Sequence, residues 1–183
     1  PAPAAWADGA AWPPAGAERV EAEDVYAHFS DLGYEYGEAF AGIGSVWRRP
    51  GEVFAEVRLP ARVRADAADY GLHPALLDAA LQPWLAGGLL DVPDGSVLLP
   101  FAWQGATLHA AGADALRVRI ARAGEGAVCL EAVDPAGAPV LTLDALVMRP
   151  VARERLDALL GAADSALPLY RIDWRDTAAP ATG

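Results

Sequence analysis

The stretch His73-Pro-Ala-Leu-Leu-Asp-Ala-Ala-Leu-Gln-Pro-Trp-Leu-Ala-Gly-Gly-Leu-Leu90 decides the reading of this chain. It is apolar almost all the way round, which marks a buried helix rather than a surface one. Pro74 suits the first helical position. Pro83 and the pair Gly87-Gly88 are expected to kink or end it. A helix with no polar side needs a sheet that wraps it.

Upstream, Ile43–Arg49 and Glu52–Pro60 read as two strands joined by Pro50-Gly51, a two-residue turn signal. In the second, Val53, Ala55 and Val57 alternate with Glu52, Phe54, Glu56 and Arg58, so the sheet has two unlike faces. Downstream, residues 97–110, 115–123, 126–134 and 139–150 read as four strands in succession, and their short spacing predicts an antiparallel meander. Residues 22–32 predict a short amphipathic helix with Val25, Phe29 and Leu32 on its apolar side and Gly33 at its stop. Tyr36–Phe40 continues as a turn or a helical turn. Residues 151–161 predict a short surface helix, 162–168 a linker, and 169–175 (LYRIDWR) one further strand. The expected architecture is α+β: an antiparallel sheet of five or six strands curled round one helix, the hotdog arrangement.

The chain has 183 residues, enough for one domain with a core that needs no staples. A single cysteine, Cys129, excludes a disulfide framework and a cysteine-rich zinc site. His28, His73 and His109 are too scattered for a histidine metal motif. The net charge of −11 argues against a nucleic-acid binder and an anionic membrane surface. No apolar run approaches a membrane span, and no secretory signal is evident. A reduced, cytoplasmic setting is the expectation. All 14 basic residues are arginine. The chain starts at Pro1 and its one methionine is Met148, so it reads as a piece of something longer. Residues 1–22, rich in Pro, Ala, Gly and Trp, read either as a linker that packs Trp6 and Trp12 onto a neighbour or as a disordered tail.

Two residues of the apolar helix carry chemistry. Asp78 sits in its middle, and Gln82 follows four residues later on the same face. Desolvation raises the pKa of such a carboxyl, so that it holds a proton near neutral pH and serves as a general acid. The alternative is that Asp78 points to solvent at the open side of the sheet. Tyr34 and Tyr36, in GYEYGEAF, offer hydroxyls to a substrate oxygen or simply pack at the rim. Pro100, Phe101 and Trp103 read as the wall of an acyl channel or as ordinary sheet packing. His73, at the helix entrance, reads as a capping or packing residue, and His28 as a half-buried surface residue. None of the histidines stands in a Ser/His/Asp, HExxH or phosphate-loop context.

Three segments in this order, GYEYGEAFAGI (33–43), HPALLDAALQ (73–82) and LLPFAWQGATLHAAGA (98–113), resemble the C-terminal half of the dehydratase domain of modular type I polyketide synthases. The ending LYRIDWR resembles the start of the ketoreductase region that often follows. The resemblance implies a division into a linker (1–22) from a missing first hotdog, the C-terminal hotdog (23–150), and a post-dehydratase linker with the start of the next region (151–183). It implies the second half of a double hotdog, which eliminates water from a β-hydroxyacyl chain on an acyl carrier protein. Asp78 then falls on the general acid of an HPxLLDxxxQ motif, Gln82 on the residue that orients it, and Tyr36 with Gly37 on the YGxxF motif that meets the substrate hydroxyl. No metal or redox cofactor is implied, since the phosphopantetheine arm belongs to the substrate. The implied partners are the first hotdog, the carrier protein, the ketoreductase region and a second copy of the parent synthase. The carrier would dock on Arg48, Arg49, Arg58, Arg62 or Arg64.

Two departures from the family pattern matter. Glu38 and Ala41 stand where proline and glutamine are usual. The family's catalytic base is a histidine in HxxxGxxxxP, and the fourth residues after His28, His73 and His109 are Leu32, Leu77 and Ala113. The acid is present without its base, so the fragment alone is expected to be inactive. Rival readings are a non-catalytic dehydratase-like scaffold or carrier-binding module, a self-dimerising single-hotdog thioesterase or hydratase, and a relative that shifts double bonds or closes an ether ring.

Overall fold

A computed structural model describes residues 11–163. The readings placed on Trp6, on residues 164–168 and on LYRIDWR lie outside them. The chain runs β1 (Glu18–Val20), α1 (Ala22–Asp31), β2 (Ile43–Arg49), β3 (Glu52–Arg58), α2 (Ala61–Arg64) and a 3-10 segment (Ala65–Asp69). It continues through α3 (Pro74–Leu81), a second 3-10 segment (Gln82–Gly87), β4 (Ser96–Gln104), β5 (Thr107–Leu108), β6 (Ala115–Gly124), β7 (Ala127–Val133), β8 (Pro139–Ala152) and α4 (Arg153–Ala163).

The strands form one antiparallel sheet in the order β1-β2-β3-β6-β7-β8-β4, with β5 also on β8. This is the expected hotdog, with eight strands among the described residues where five or six were expected. α3 and the 3-10 segment after it pack on β2, β3 and β6. They bury Ala75, Leu76, Ala79, Ala80, Leu81, Trp84 and Leu85 in one cluster with Val53, Ala55, Val57, Leu116, Val118 and Ile120.

The four downstream strands do not form the simple meander read from their spacing. β6, β7 and β8 do follow one another, but β4 pairs with β8, and β6 returns to pair with β3. The cause is the helix between them, which carries the chain from β3 to the far edge of the sheet before β4 begins. Residues 97–110 also split. Gly105 turns the chain with φ +63° between β4 and β5. The apolar stretch 73–90 is not one continuous α-helix but α3 followed by a 3-10 segment. Pro83 has no N–H to donate, so α-helix gives way to 3-10 at Gln82, and Gly88 stops it in the left-handed region.

The segment read as linker contains a strand and an anchor. β1 pairs with β2. Trp12 stacks edge-on against Trp47 (5.7 Å) and Phe54 (6.2 Å), with the Arg117 guanidinium over its ring. That explains why Phe54, on the otherwise polar face of β3, is fully buried. The rest of this face is a row of cross-strand ion pairs: Arg49 and Arg119 both on Glu52, Arg119 on Glu131 (2.9 Å), and Arg117 on Glu56 (3.4 Å). Burial raises the Glu52 pKa, but its two arginines outweigh that and hold the carboxyl below the usual range.

Candidate functional site

Asp78 and Gln82 lie one turn apart on the helix that fills the sheet, and the structure joins them. Gln82 is 2% exposed, and its Nε2 donates to Asp78 Oδ2 at 2.8 Å and to the Phe40 carbonyl at 3.0 Å. Asp78 is half-buried rather than pointing freely to solvent. Burial raises its pKa, and the Gln82 hydrogen bond pulls partly the other way. Burial thus tilts Asp78 toward its protonated form.

The loop 33–42 lies against the Asp78–Gln82 pair, with the Phe40 carbonyl on Gln82 and Tyr36 near Asp78. It is held from three sides. Phe29 of α1 packs edge-on against Tyr34, Tyr36 and Trp84 at 5.2, 5.1 and 6.4 Å. Tyr34 uses its hydroxyl twice, donating to the Leu98 carbonyl and accepting from the Leu98 N–H, both at 2.7 Å. It is therefore a strut to β4. Gly42 lets the loop meet α3 at backbone distance, since a Cβ there would lie 2.8 Å from both the Ala79 Cβ and the Arg58 carbonyl oxygen.

Tyr36 is different from Tyr34. No hydrogen bond engages its hydroxyl among the described residues, and burial followed by the nearby Asp78 charge pushes its pKa well up. It stays a neutral donor at any working pH. Gly37 beside it has open space where a Cβ would stand. Glu38, the residue in place of the family proline, turns outward to Arg62 (3.2 Å) and stays on the surface.

Tyr26 was not singled out by the sequence. Its hydroxyl donates to Gln82 Oε1 and accepts from the Ile43 N–H, both at 3.1 Å. The available signal was its place beside Val25 on the buried stripe of α1, where a polar tip needs a partner.

The remaining sequence candidates do not join this cluster as read. Pro100, Phe101 (57% exposed) and Trp103 (45%) lie open on β4, which is an edge strand, so within this chain they neither wall an enclosed channel nor pack in the core. The Arg149 guanidinium sits 3.3 Å over the Phe101 ring. The five arginines do not form one patch. Arg49 pairs with Glu52, Arg62 with Glu38 and Arg64 with Asp114. Arg48 and Arg58 make no ion pair among the described residues, and they stand toward opposite ends of the β2–β3 hairpin, roughly 15 Å apart. His73 caps α3 as expected, its Nδ1 accepting the Ala75 N–H. His28 is exposed rather than half-buried, at the flank of the Val25–Phe29 stripe of α1. No group of three potential metal ligands occurs among the described residues, and no helix there is long and apolar enough to cross a membrane.

The chain has counterparts among known proteins. The family model described as "Polyketide synthase dehydratase N-terminal domain" matches residues 4–158. Mycoketide-CoA synthase of Mycobacterium tuberculosis is 47% identical over 171 residues, which is 92% of this chain and 4% of that protein. The dehydratase domain from the terminal module of the rifamycin polyketide synthase is 46% identical, with a TM-score of 0.67 over 76% of this chain and 49% of that one. An inactive aspartate-to-asparagine mutant of the CurK dehydratase of the Curacin synthase is 26% identical, with a TM-score of 0.66 over 78% and 50%. The chain thus spans about half the length of these solved dehydratases and a small part of the curated synthase. On that family match, and on the hotdog it shares with them, the chain belongs to the polyketide synthase dehydratase family.

Proposed function

We propose that this chain is the acid-bearing, second hotdog of a dehydratase that removes water from a β-hydroxyacyl thioester on an acyl carrier protein. The observation that carries the reading is the half-buried Asp78 carboxyl, oriented by Gln82 and biased by burial toward its protonated form. Asp78 gives its proton to the β-hydroxyl as the Cβ–O bond breaks, which releases water. A base takes the α-proton, and the electrons of that C–H bond become the Cα=Cβ bond of the enoyl thioester. Tyr36 donates to the same hydroxyl and Gly37 leaves room for it. The base is a histidine supplied by the first hotdog, because none of the three histidines of this chain stands in the family's base motif. The matched model's description names the N-terminal domain. The assignment to the second half rests instead on HPALLDAALQ and YGEAF. The inactive aspartate mutant of the CurK dehydratase agrees with an essential acid.

No resident metal or redox group enters this chemistry. The carrier brings the pantetheine arm, and the unpaired Arg48 and Arg58 are the better docking candidates of the five. Reversing both charges should weaken carrier-linked turnover and spare a free thioester; equal effects on both would refute the docking role. The reaction is tested by mass spectrometry on a β-hydroxyacyl pantetheine thioester, with this chain alone and joined to a first hotdog. Water loss only in the joined form, abolished by Asp78→Asn, is the expected result. Loss of water by this chain alone would point instead to a self-pairing hotdog with a base of its own. Unchanged turnover in Asp78→Asn would overturn the acid assignment.

A further inference from the structure

The Gln82 amide has two ends, and only one orientation serves Asp78. Its neighbours determine which. The Ile43 N–H can only donate, and it points at the Tyr26 hydroxyl oxygen at 3.1 Å. That hydroxyl accepts from Ile43, which leaves its own proton free for its other partner, Gln82 at 3.1 Å. The atom facing Tyr26 is then the amide oxygen. At the other end, the Phe40 carbonyl can only accept, so it faces the NH2 group at 3.0 Å. The second hydrogen of that group is left for Asp78 Oδ2 at 2.8 Å. The result is a one-way relay from the Ile43 N–H through the Tyr26 hydroxyl and the Gln82 amide to the carboxyl.

We propose that Tyr26 is a positioning residue for the acid: by locking the Gln82 amide it makes Asp78 Oδ2 an acceptor and leaves the transferable proton on Oδ1. A free amide could turn over and present its oxygen to Asp78, which would hold the proton on Oδ2 and aim it at Gln82 instead of at a substrate. Tyr26 reaches Gln82 across 56 residues of sequence, so the lock also ties α1 and the start of β2 to α3. The inference rests on the reading of Asp78 as the general acid.

The groups facing Asp78 are few. Tyr26 from α1 and Tyr36 from the loop both have raised pKa values, burial first, and stay neutral. On the loop, Glu38 is turned out to Arg62. The strands behind α3 contribute apolar side chains to the cluster around it, including Val57, Leu116 and Val118. Among the described residues the buried polar side chains are His73, at the helix entrance, and Gln82 itself. The Gln82 donor is thus the one hydrogen bond that favours the ionised carboxyl.

The test is Tyr26→Phe in the dehydratase that contains this chain, read by carboxyl NMR at Asp78 and by the pH dependence of elimination. Losing the lock weakens the Gln82 hydrogen bond, so the Asp78 midpoint should rise. The alkaline limb of kcat should move up with it, and kcat should fall about tenfold, as for one hydrogen bond lost in the transition state. In a Gln82→Leu background, Tyr26→Phe should move the Asp78 midpoint no further. A midpoint unmoved by Tyr26→Phe, or moved equally in both backgrounds, would overturn the proposal. Should Tyr26→Phe fail to fold, the side-chain amide protons of Gln82 in the unaltered protein decide: slow exchange with water supports the lock, and fast exchange overturns it. Failure of the acid reading itself is seen separately, as Asp78→Asn retaining turnover while the midpoint shift persists.

Discussion

Gly42→Ala should damage both stability and catalysis, through one contact. A Cβ at this position would stand 2.8 Å from the Ala79 Cβ and 2.8 Å from the Arg58 carbonyl oxygen. Neither can give way easily, since one is fixed on α3 next to Asp78 and the other is backbone. Ordinary contact begins near 3.4 Å, so the loop must retreat by about 0.6 Å or more. Overpacking of this kind costs about 1–3 kcal/mol. For a chain of this size that lowers Tm by about 2–4 °C per kcal/mol. The same retreat pulls the Phe40 carbonyl off Gln82 and carries Tyr36 away from Asp78, because both belong to the loop. Misplacement approaching 1 Å costs up to about a hundredfold in turnover. Calorimetry gives the first number and elimination of water from a β-hydroxyacyl thioester the second. Gly37→Ala is the control for the loop: its Cβ meets open space and its φ is not left-handed, so Tm should hold while substrate binding weakens. A Gly42→Ala protein with unchanged Tm and turnover would refute the claim that backbone contact between loop and helix builds the site.

Three further outcomes follow from the same geometry. Tyr34→Phe leaves the Leu98 N–H and carbonyl without their shared partner, which should cost about 1–3 kcal/mol in denaturant unfolding while turnover changes far less than with Tyr36→Phe. Folded Asp78 holds its proton to higher pH than unfolded aspartate, so its ionisation costs stability as pH rises from the usual aspartate range through the folded value; Asp78→Asn should therefore gain stability at pH 8 and little at pH 3, measured as paired melting curves, and a gain confined to acid would contradict the assigned burial. Trp12→Ala uncovers Phe54 and Trp47 on the outer face and should lose about 1–3 kcal/mol without altering turnover.

Asp78 and Gln82 were legible because their relation is local. A four-residue spacing on one helix puts two side chains on one face whatever the rest of the chain does, and an apolar surround raises a carboxyl pKa by desolvation alone. The β2–β3 hairpin was legible for the same reason, since Pro50-Gly51 and the alternation of Val53, Ala55 and Val57 act over a few residues. Tyr26 was not, because its partner is 56 residues away and nothing in AEDVYAHF names it. Phe54 looked like an exception to its face until Trp12 was seen to cover it.

The sequence by itself determined most of the helices and strands, the placing of Asp78 and Gln82 on one helix face, and the wrapped-helix class. Periodicity, proline and glycine chemistry, and desolvation all operate within a helix or a hairpin. The tertiary structure decided which strands became neighbours, sending β4 to β8 and returning β6 to β3. It also distinguished Tyr34 as a strut from Tyr36 as an unengaged donor, left Phe101 and Trp103 open on an edge, and divided the arginines between paired and unpaired. These are contacts between segments far apart in the chain. They depend on where a buried helix carries the backbone across the sheet, and short-range patterns contain no record of that path.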